Sequence, residues 1–432
     1  MNLQAQTARP EPMYYPAARE ERDLIGLPRL MEMCFRGLDL TPLRDRLVLR
    51  AERDPEDANA LLDLSTILFL RGRTELALRM QAEALAIRRV YTLAATGPER
   101  LRAAMLMTPG DLMANMPIEF LLHGSDVTLD LEYLDPAQPL QAGTRAAVDV
   151  ACLAVCESPA ARPLLAALAR APRHAGVPQL NDAARVLALA RESLWRVLAG
   201  VPGCLVPPSV RADRAALAAL ARGESDLDAL LPGGAFPLIC RPLGSHAGHG
   251  LARIADRDAL AVHLGANAGD DFVISNFVDY AGADGQYRKV RLSLVGGRAW
   301  PVHLAISARW MVHYLNGDMA DRADNRAEEQ RFLDGFETGF ARRHAAALAA
   351  LDERLGLDYC SVDCAETRDG RLLIFECDTG GVAHAMDPLQ DYGYKRPHML
   401  RLFAAFRDLL AQAARDPACL KPKTKPGTAA LS

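Results

Sequence analysis

The stretch Leu357–Asp378 reads LDYCSVDCAETRDGRLLIFECD, and it decides the fold of the C-terminal half. Two apolar-rich runs flank Asp369–Gly370, a dipeptide that closes two-residue β-hairpin turns because both central positions take positive φ. With a turn of that length, residues whose numbers sum to 739 oppose each other. Asp363 then faces Glu376, and Ser361 faces Asp378. The period of two puts Asp363, Glu376 and Asp378 on one face and Val362, Leu373 and Phe375 on the other, core-facing side. Directly opposed side chains stand roughly 5 Å apart, where like charges repel. Three carboxylates in one patch therefore call for a cation. Hard oxygen ligands suit Mg²⁺, with nucleotide phosphates completing its shell. The alternative is the solvated acidic face of an exposed hairpin.

Three upstream segments carry related chemistry. In FPLICRPLGSHAGHGL, residues 236–251, a buried strand ends at Arg241 and a loop with Gly244, Ser245, Gly248 and Gly250 follows. Glycines let backbone N–H groups approach a phosphate, and Arg241 adds a fixed charge. An ordinary turn is the alternative, and the loop histidines His246 and His249 offer a phosphate contact at His246 or simple exposure. FVISNFVDYAG, residues 272–282, reads as a strand and then a polar turn. YRKVRLSLVGGRAWPVHLAIS, residues 287–307, reads as a hairpin about Gly296–Gly297 with Lys289 and Arg291 on one face. The continuation HLAISARWMVHY, residues 303–314, offers His303, Arg309, Trp310 and His313 to an acceptor or carboxylate pocket, or to the core.

The rest of the 432-residue chain divides by texture. Residues 1–20 look loose. Residues 22–92 have apolar positions three or four apart, the period of helices. Pro55, Leu61, Leu64, Gly72, Ala77 and Ala84 resemble one tetratricopeptide unit. A small helical domain without repeat function is the alternative. Strand-like runs at 101–107, 127–133 and 148–155 alternate with helical stretches and imply an open parallel sheet, whose Pro109–Gly110 loop is a candidate substrate edge. Asp182 is placed to cap a helix running to about residue 198. Further helices are expected over 211–222, 256–264 and 326–355.

Half the residues are hydrophobic and the net charge is −4, so the chain can bury a core and lacks the broad basic field of a nucleic-acid binder. Its notable basic patch is Arg288, Lys289 and Arg291. Nine scattered cysteines with no paired CxxC spacing indicate buried thiols in a reducing compartment rather than a zinc site. No stretch reaches the roughly 18 apolar residues of a membrane span, and the N-terminus lacks a signal-peptide pattern. A cytoplasmic protein with no nucleic-acid or membrane partner is expected. GxSxG, Walker A and HExxH motifs are absent from the sequence.

The four segments, in this order and spacing, resemble the ATP-grasp superfamily, in particular the glutathione synthetase-like and ribosomal protein S6 modification-type carboxylate–amine ligases. The resemblance covers roughly residues 100–415. It implies a mixed α+β and α/β chain: an ATP-grasp fold of two α+β subdomains sandwiching ATP over 201–415, an α/β pre-ATP-grasp domain over 98–200, a helical region over 1–97 and a disordered tail over 416–432. By resemblance, Arg241 and Gly244, Ser245, His246, Gly248 and Gly250 meet the phosphates. Asn276, Phe277 and Asp279 form the hinge, with Asp279 toward the ribose. Arg291 and Arg241 act in catalysis. Asp363, Glu376 and Asp378 hold two Mg²⁺, and Lys289, His303 and Arg309 face the substrate.

The implied reaction joins a carboxylate to an amine through an acyl phosphate, with a metabolite, peptide or protein as substrate and a homodimer as the compatible assembly. Three positions depart from the pattern: Arg241 replaces Lys, Asn276 a hinge Glu, and Asp378 an Asn. Those at Arg241 and Asp378 favour the alternative of a catalytically impaired nucleotide-binding regulatory or scaffold protein with a helical docking region; a kinase or carboxylase, which shares the nucleotide site, is a second alternative.

Overall fold

The computed structural model describes residues 22–135, 147–170, 177–245, 248–314 and 317–422. The chain forms two compact units, Met1–Tyr91 and Thr92–Ser432.

Among the described residues the first unit holds four helices: α1 (Leu27–Phe35), α2 (Thr41–Arg53), α3 (Ala58–Leu70) and α4 (Thr74–Ile87). Asp57 caps α3 by accepting from the Ala60 N–H at 3.0 Å. Leu30, Leu40, Leu43, Leu47, Ala60 and Ile67 form its core. The fully buried Asp63 accepts the Ile25 and Gly26 N–H groups at 2.8 and 2.9 Å, tying the approach to α1 onto α3. The helix pair α3–α4 is a helix–turn–helix, a form that many helical domains share.

The second unit is mixed α+β and, among the described residues, contains three sheets. The first has the order β1 (Val90–Leu93), β3 (Val127–Tyr133), β2 (Leu101–Met107), β4 (Val150–Leu153) and β5 (Gln179–Leu180). Strand β2 runs parallel to both β3 and β4, as the near-continuous apolar runs imply. Helices α5 (Ile118–Leu122) and α6 (Arg162–Arg170) belong to the crossovers. Asp182 does cap a helix, accepting from the Ala184 N–H at 2.8 Å. The single helix expected to residue 198 is instead two, α7 (Ala183–Leu187) and α8 (Arg191–Val197), with Arg191 opening the second.

The second sheet is antiparallel in the order β7 (Ser209–Asp213), β10 (Asp271–Asn276), β8 (Leu238–Pro242) and β9 (Ala252–Ile254). Helices α9 (Arg214–Ala221), α10 (Leu227–Leu230) and α11 (Arg257–Ala266) accompany it, and apolar residues of α9, α10 and α11 join its core. The helix expected from residue 211 starts later because 209–213 pairs with β10, and Asp213 then caps α9 through the Ala216 N–H at 2.7 Å.

The third sheet has the order β12 (Arg298–Ser307), β11 (Tyr287–Val295), β13 (Tyr359–Glu366), β14 (Leu372–Asp378) and β6 (Cys204–Leu205). Against one face of it packs the largest core, with Val290, Leu292, Leu304, Cys360, Val362, Cys364 and Ile374 pointing in. The expected helix 326–355 is broken into α12 (Ala323–Asp334), a π turn at Glu337–Ala341 and α13 (Ala345–Leu355). Gly335 and Gly339 sit at that break, and glycine weakens a helix interior. Beyond β14 come α14 (Leu389–Tyr392) and α15 (Arg396–Arg415). The loose tail expected from residue 416 is not loose at its start. Lys421 donates its N–H to Asp358 at 2.7 Å and pairs its ammonium with Asp352. Residues 1–20 and 423–432 lie outside the described residues. Among the described residues no helix is long and apolar enough to cross a membrane.

One side chain anchors the strand that matters most. Asn181 is fully buried, with a left-handed φ of 59°. Its side-chain oxygen accepts the Asp358 and Tyr359 N–H groups at 2.9 and 3.1 Å, and its own N–H donates to Asp358 Oδ2 at 2.7 Å. These bonds lock the start of β13. Asn181→Ala should therefore lower stability by about 2–4 kcal/mol, since buried N–H groups lose their partners. Chemical denaturation of the full chain measures this, and a loss below about 0.5 kcal/mol would contradict the anchoring role.

Candidate active site

The β13–β14 hairpin does not turn as expected. Thr367 and Arg371 close the loop, the Thr367 N–H donating to the Arg371 carbonyl at 2.9 Å, so three residues turn rather than two. Gly370 supplies the left-handed residue at φ 80°, as three-residue hairpin loops require. Pairing then runs Glu366↔Leu372, Ala365↔Leu373 and Cys364↔Ile374. A bulge at Phe375 adds one residue to β14, and beyond it Asp363 faces Glu376 and Ser361 faces Asp378. The carboxylate register is the expected one, reached through a longer turn and a compensating bulge. The expected apolar face needs correction. Val362 enters the main core, but Leu373 and Phe375 pack with Tyr280 and Ala365 on the carboxylate side.

The site is a row of directly opposed residues across four strands: His303 on β12, Arg291 on β11, Asp363 on β13 and Glu376 on β14. Arg291 grips Asp363 with two bonds, Nε–Oδ1 at 2.7 Å and a second at 2.9 Å. The Lys289 ammonium reaches the same carboxylate at 2.6 Å. Burial opposes the charge on Asp363, yet Arg291 and Lys289 more than offset it and hold the carboxyl well below its ordinary range. At the far end Arg191, from the first turn of α8, pairs closely with Glu376. Burial works against Glu376 too, but Arg191 together with Lys289 and Arg291 offsets it, so that carboxyl is lowered. Asp378 is different. It accepts one bond, from the Gly380 N–H at 2.9 Å, and burial followed by the charge of Glu376 pushes it upward.

Arg241 ends near this cluster, at the edge of β8. Burial and then the neighbouring Arg191 push it down to about 10, with Glu376 opposing. Its guanidinium folds back on the glycine loop, binding the Ser245 carbonyl and standing 3.2 Å from Ser245 Oγ. Gly250 has a φ of 65°, and an added Cβ would lie 2.6 Å from Pro242, so only glycine fits. Gly244 and Gly248 also take positive φ. His246 lies outside the described residues.

The hinge residues serve several ends. The Asn276 amide closes the 233–235 turn, accepting from Ala235 N–H at 3.1 Å and donating to the Gly233 carbonyl at 3.0 Å, so its side chain is committed to the fold. Phe277 carries Arg253 over its ring at 4.4 Å and meets Trp310 edge-on at 5.8 Å. Asp279 is exposed and accepts the Ala281 N–H at 3.1 Å. Tyr280, Ala365 and Leu373, with Leu205, Val278, Tyr287 and Phe375 partly buried beside them, line an apolar aromatic patch next to the row. The segment after β12 spans from here to the glycine loop. Tyr280 donates to the Trp310 carbonyl at 2.6 Å, and Met311 Sδ would lie 3.3 Å from a Cβ on Gly248.

On the substrate side, Lys289 and His303 join the row, whereas Arg309 points outward with its side chain 67% exposed and Asp318 at 3.9 Å. The sequence reading missed Arg191, which lies 185 residues before Glu376 on a helix without a motif. It also missed the buried network flanking His303. Glu329 accepts from the Leu304 N–H and from the Tyr314 and Tyr394 hydroxyls at 3.0, 3.0 and 2.6 Å. Lys395 pairs with Asp387 at 2.6 Å and donates to the Tyr314 hydroxyl at 3.2 Å. Only long-range packing gathers these groups.

The donor set fits a divalent ion in part. Among the described residues no three His, Cys, Asp or Glu side chains stand ready to ligate a metal. Asp363 is saturated by two cations. Glu376 and Asp378 are the better pair. Both are carboxylates on one face, and Asp378 is half-buried with no cation bonded to it among the described residues, a costly state that a hard cation would relieve.

No protein-family model matches the sequence, and no curated protein matches it. Solved structures similar to the chain include a RimK domain protein ATP-grasp from Sphaerobacter thermophilus (22% identity, TM-score 0.39, 72% of this chain and 99% of that one). They also include the D-alanine–D-alanine ligase of Bacillus anthracis complexed with ATP (14% identity, TM-score 0.43, 73% and 98%). A third is the VanG D-Ala:D-Ser ligase of Enterococcus faecalis (12% identity, TM-score 0.42, 72% and 100%).

The Asp363 clamp sets an acid dependence. A carboxyl lowered in the folded state contributes stability that is present above its unfolded pKa of about 4 and is lost as pH falls toward the folded value. Denaturation midpoints measured at stepwise lower pH should drop across that window, and Asp363→Asn should flatten the drop. Removing one partner leaves buried charge, so Arg291→Met should cost about 3 kcal/mol or more near neutral pH. An acid limb identical in wild type and Asp363→Asn would contradict the clamp.

Proposed function

We propose that the second unit is an ATP- and Mg²⁺-dependent ligase of the ATP-grasp type, joining a carboxylate to an amine through an acyl phosphate. One observation carries this function. Four cationic side chains from three parts of the chain, Arg191, Arg241, Lys289 and Arg291, surround three carboxylates at the end of an apolar aromatic patch and a glycine loop. Cations in excess over carboxylates suit a polyphosphate, and the aromatic patch suits a purine beside it. Burial, and after it repulsion from Arg191, depress Arg241, and an anion between the two arginines offsets both.

Glu376 and Asp378 would hold Mg²⁺, which when bound neutralises charge on the phosphate oxygens. Lys289 and Arg291 orient the γ-phosphoryl group and offset the charge that develops as the substrate carboxylate attacks phosphorus and ADP departs. The amine then attacks the acyl carbon, the C–O bond to phosphate breaks, and phosphate leaves with the electron pair and takes up the proton that the nitrogen loses. The 308–314 segment limits water access to that intermediate. The ribose falls to Asp279, and the adenine to the hinge backbone around Phe277, since the Asn276 amide is engaged elsewhere. The substrate, whether metabolite, peptide or protein, and cytoplasmic residence belong to the same proposal.

The second function, a regulatory nucleotide binder, is favoured by the saturation of Asp363 and the folding of Arg241 onto its own loop. ADP formation, and hydroxamate formation from hydroxylamine with a panel of amino acids and peptides, separate the two. The ligase forms both products, and Glu376→Gln lowers each by about 100-fold or more while the far-UV spectrum is unchanged. Nucleotide binding without ADP release under any of these conditions would favour the regulator. Wild-type-like turnover in Glu376→Gln would remove the metal role of that residue.

A further inference from the structure

His303 differs from every other member of the row. Its neighbours are ion-paired, Arg291 to Asp363 and Glu376 to Arg191. His303 is 8% exposed, and its Nδ1 has no hydrogen-bond partner among the described residues. The ring lies directly across from Arg291 and packs on Tyr314 with centroids 4.6 Å apart. The charged and titratable groups facing it are Lys289 and Arg291 from β11, Asp363 from β13, Lys395 from the turn just before α15, and Tyr314 from the segment after β12. Glu329 of α12 bonds Leu304, the next residue. Burial first, then Arg291, Lys395 and Lys289, keep the imidazole neutral.

That balance depends on a site without a polyanion. Lys289 and Arg291 together outweigh the single charge of Asp363. A triphosphate brings several negative charges to the same two side chains and reverses the sign of the field at the ring. Arginine and lysine are already charged and cannot respond. A neutral imidazole with an unused ring nitrogen can take a proton without breaking an existing bond.

We propose that His303 is a ligand-recruited cation: it takes up a proton when a polyphosphate binds at Lys289 and Arg291, and so becomes a further positive group holding that ligand. The proposal rests on the nucleotide function above. It makes nucleotide binding proton-linked, with affinity falling as pH rises through the imidazole range.

Calorimetric titration of the full chain with Mg·AMP-PNP and with Mg·ADP, near pH 6.5 to match the imidazole's ordinary pKa of about 6.5, tests it. Repeating each titration in buffers of different ionisation enthalpy reads the protons exchanged. Wild type should take up protons on binding. His303→Gln and His303→Asn should bind with that uptake lost. Binding without proton uptake in wild type, or equal uptake in wild type and both His303 variants, overturns the proposal alone. A wild-type chain giving no binding heat with either nucleotide overturns the nucleotide function, and this proposal with it.

Discussion

The site depends on one buried carboxylate held by two cations. Asp363 is 2% exposed, and an uncompensated charge at that depth would cost several kcal/mol. Arg291 and Lys289 on the neighbouring strand make its ionised state tolerable. Because both sit on β11, the register of β11 against β13 fixes where the positive charge lies. Asn181 and Asp358 set the height of β13, and the bulge at Phe375 sets the height of β14. A slip of one residue in either strand would turn the row to the apolar core.

The same geometry explains how a site is built from distant pieces. The first sheet contributes through Arg191, which opens α8, the second helix after β5, and closes on Glu376. The second contributes Arg241 and the glycine loop at the edge of β8. The third carries the row. Each sheet has conventional packing, while the charges converge where the sheets meet within this unit. Four cations against three carboxylates give a cluster that is stable alone yet still short of negative charge.

Much of this was legible in sequence, for identifiable reasons. Strands announced themselves through apolar runs and period-two alternation, as at Leu101–Met107 and Tyr287–Val295. The opposition of Asp363 and Glu376 was legible because Asp369–Gly370 marks a turn, although the turn has three residues and the register was restored by a bulge that no local signal announces. Arg191, Glu329, Tyr314 and Lys395 were illegible because their role comes from packing across long separations rather than from spacing. Helix breaks at 188–190 and 335–344 were missed because apolar periodicity runs through them. The commitment of Asn276 to the 233–235 turn likewise depends on tertiary contact.

The central claim is that the Arg291–Asp363–Glu376 row is where a metal-bound triphosphate sits. A crystal structure of the chain grown with Mg²⁺ and a non-hydrolysable ATP analogue tests it most directly. The account predicts phosphate oxygens on Lys289, Arg291 and Arg191, and density for a metal between Glu376 and Asp378. A triphosphate bound elsewhere, with the row's ion pairs unchanged, would contradict it.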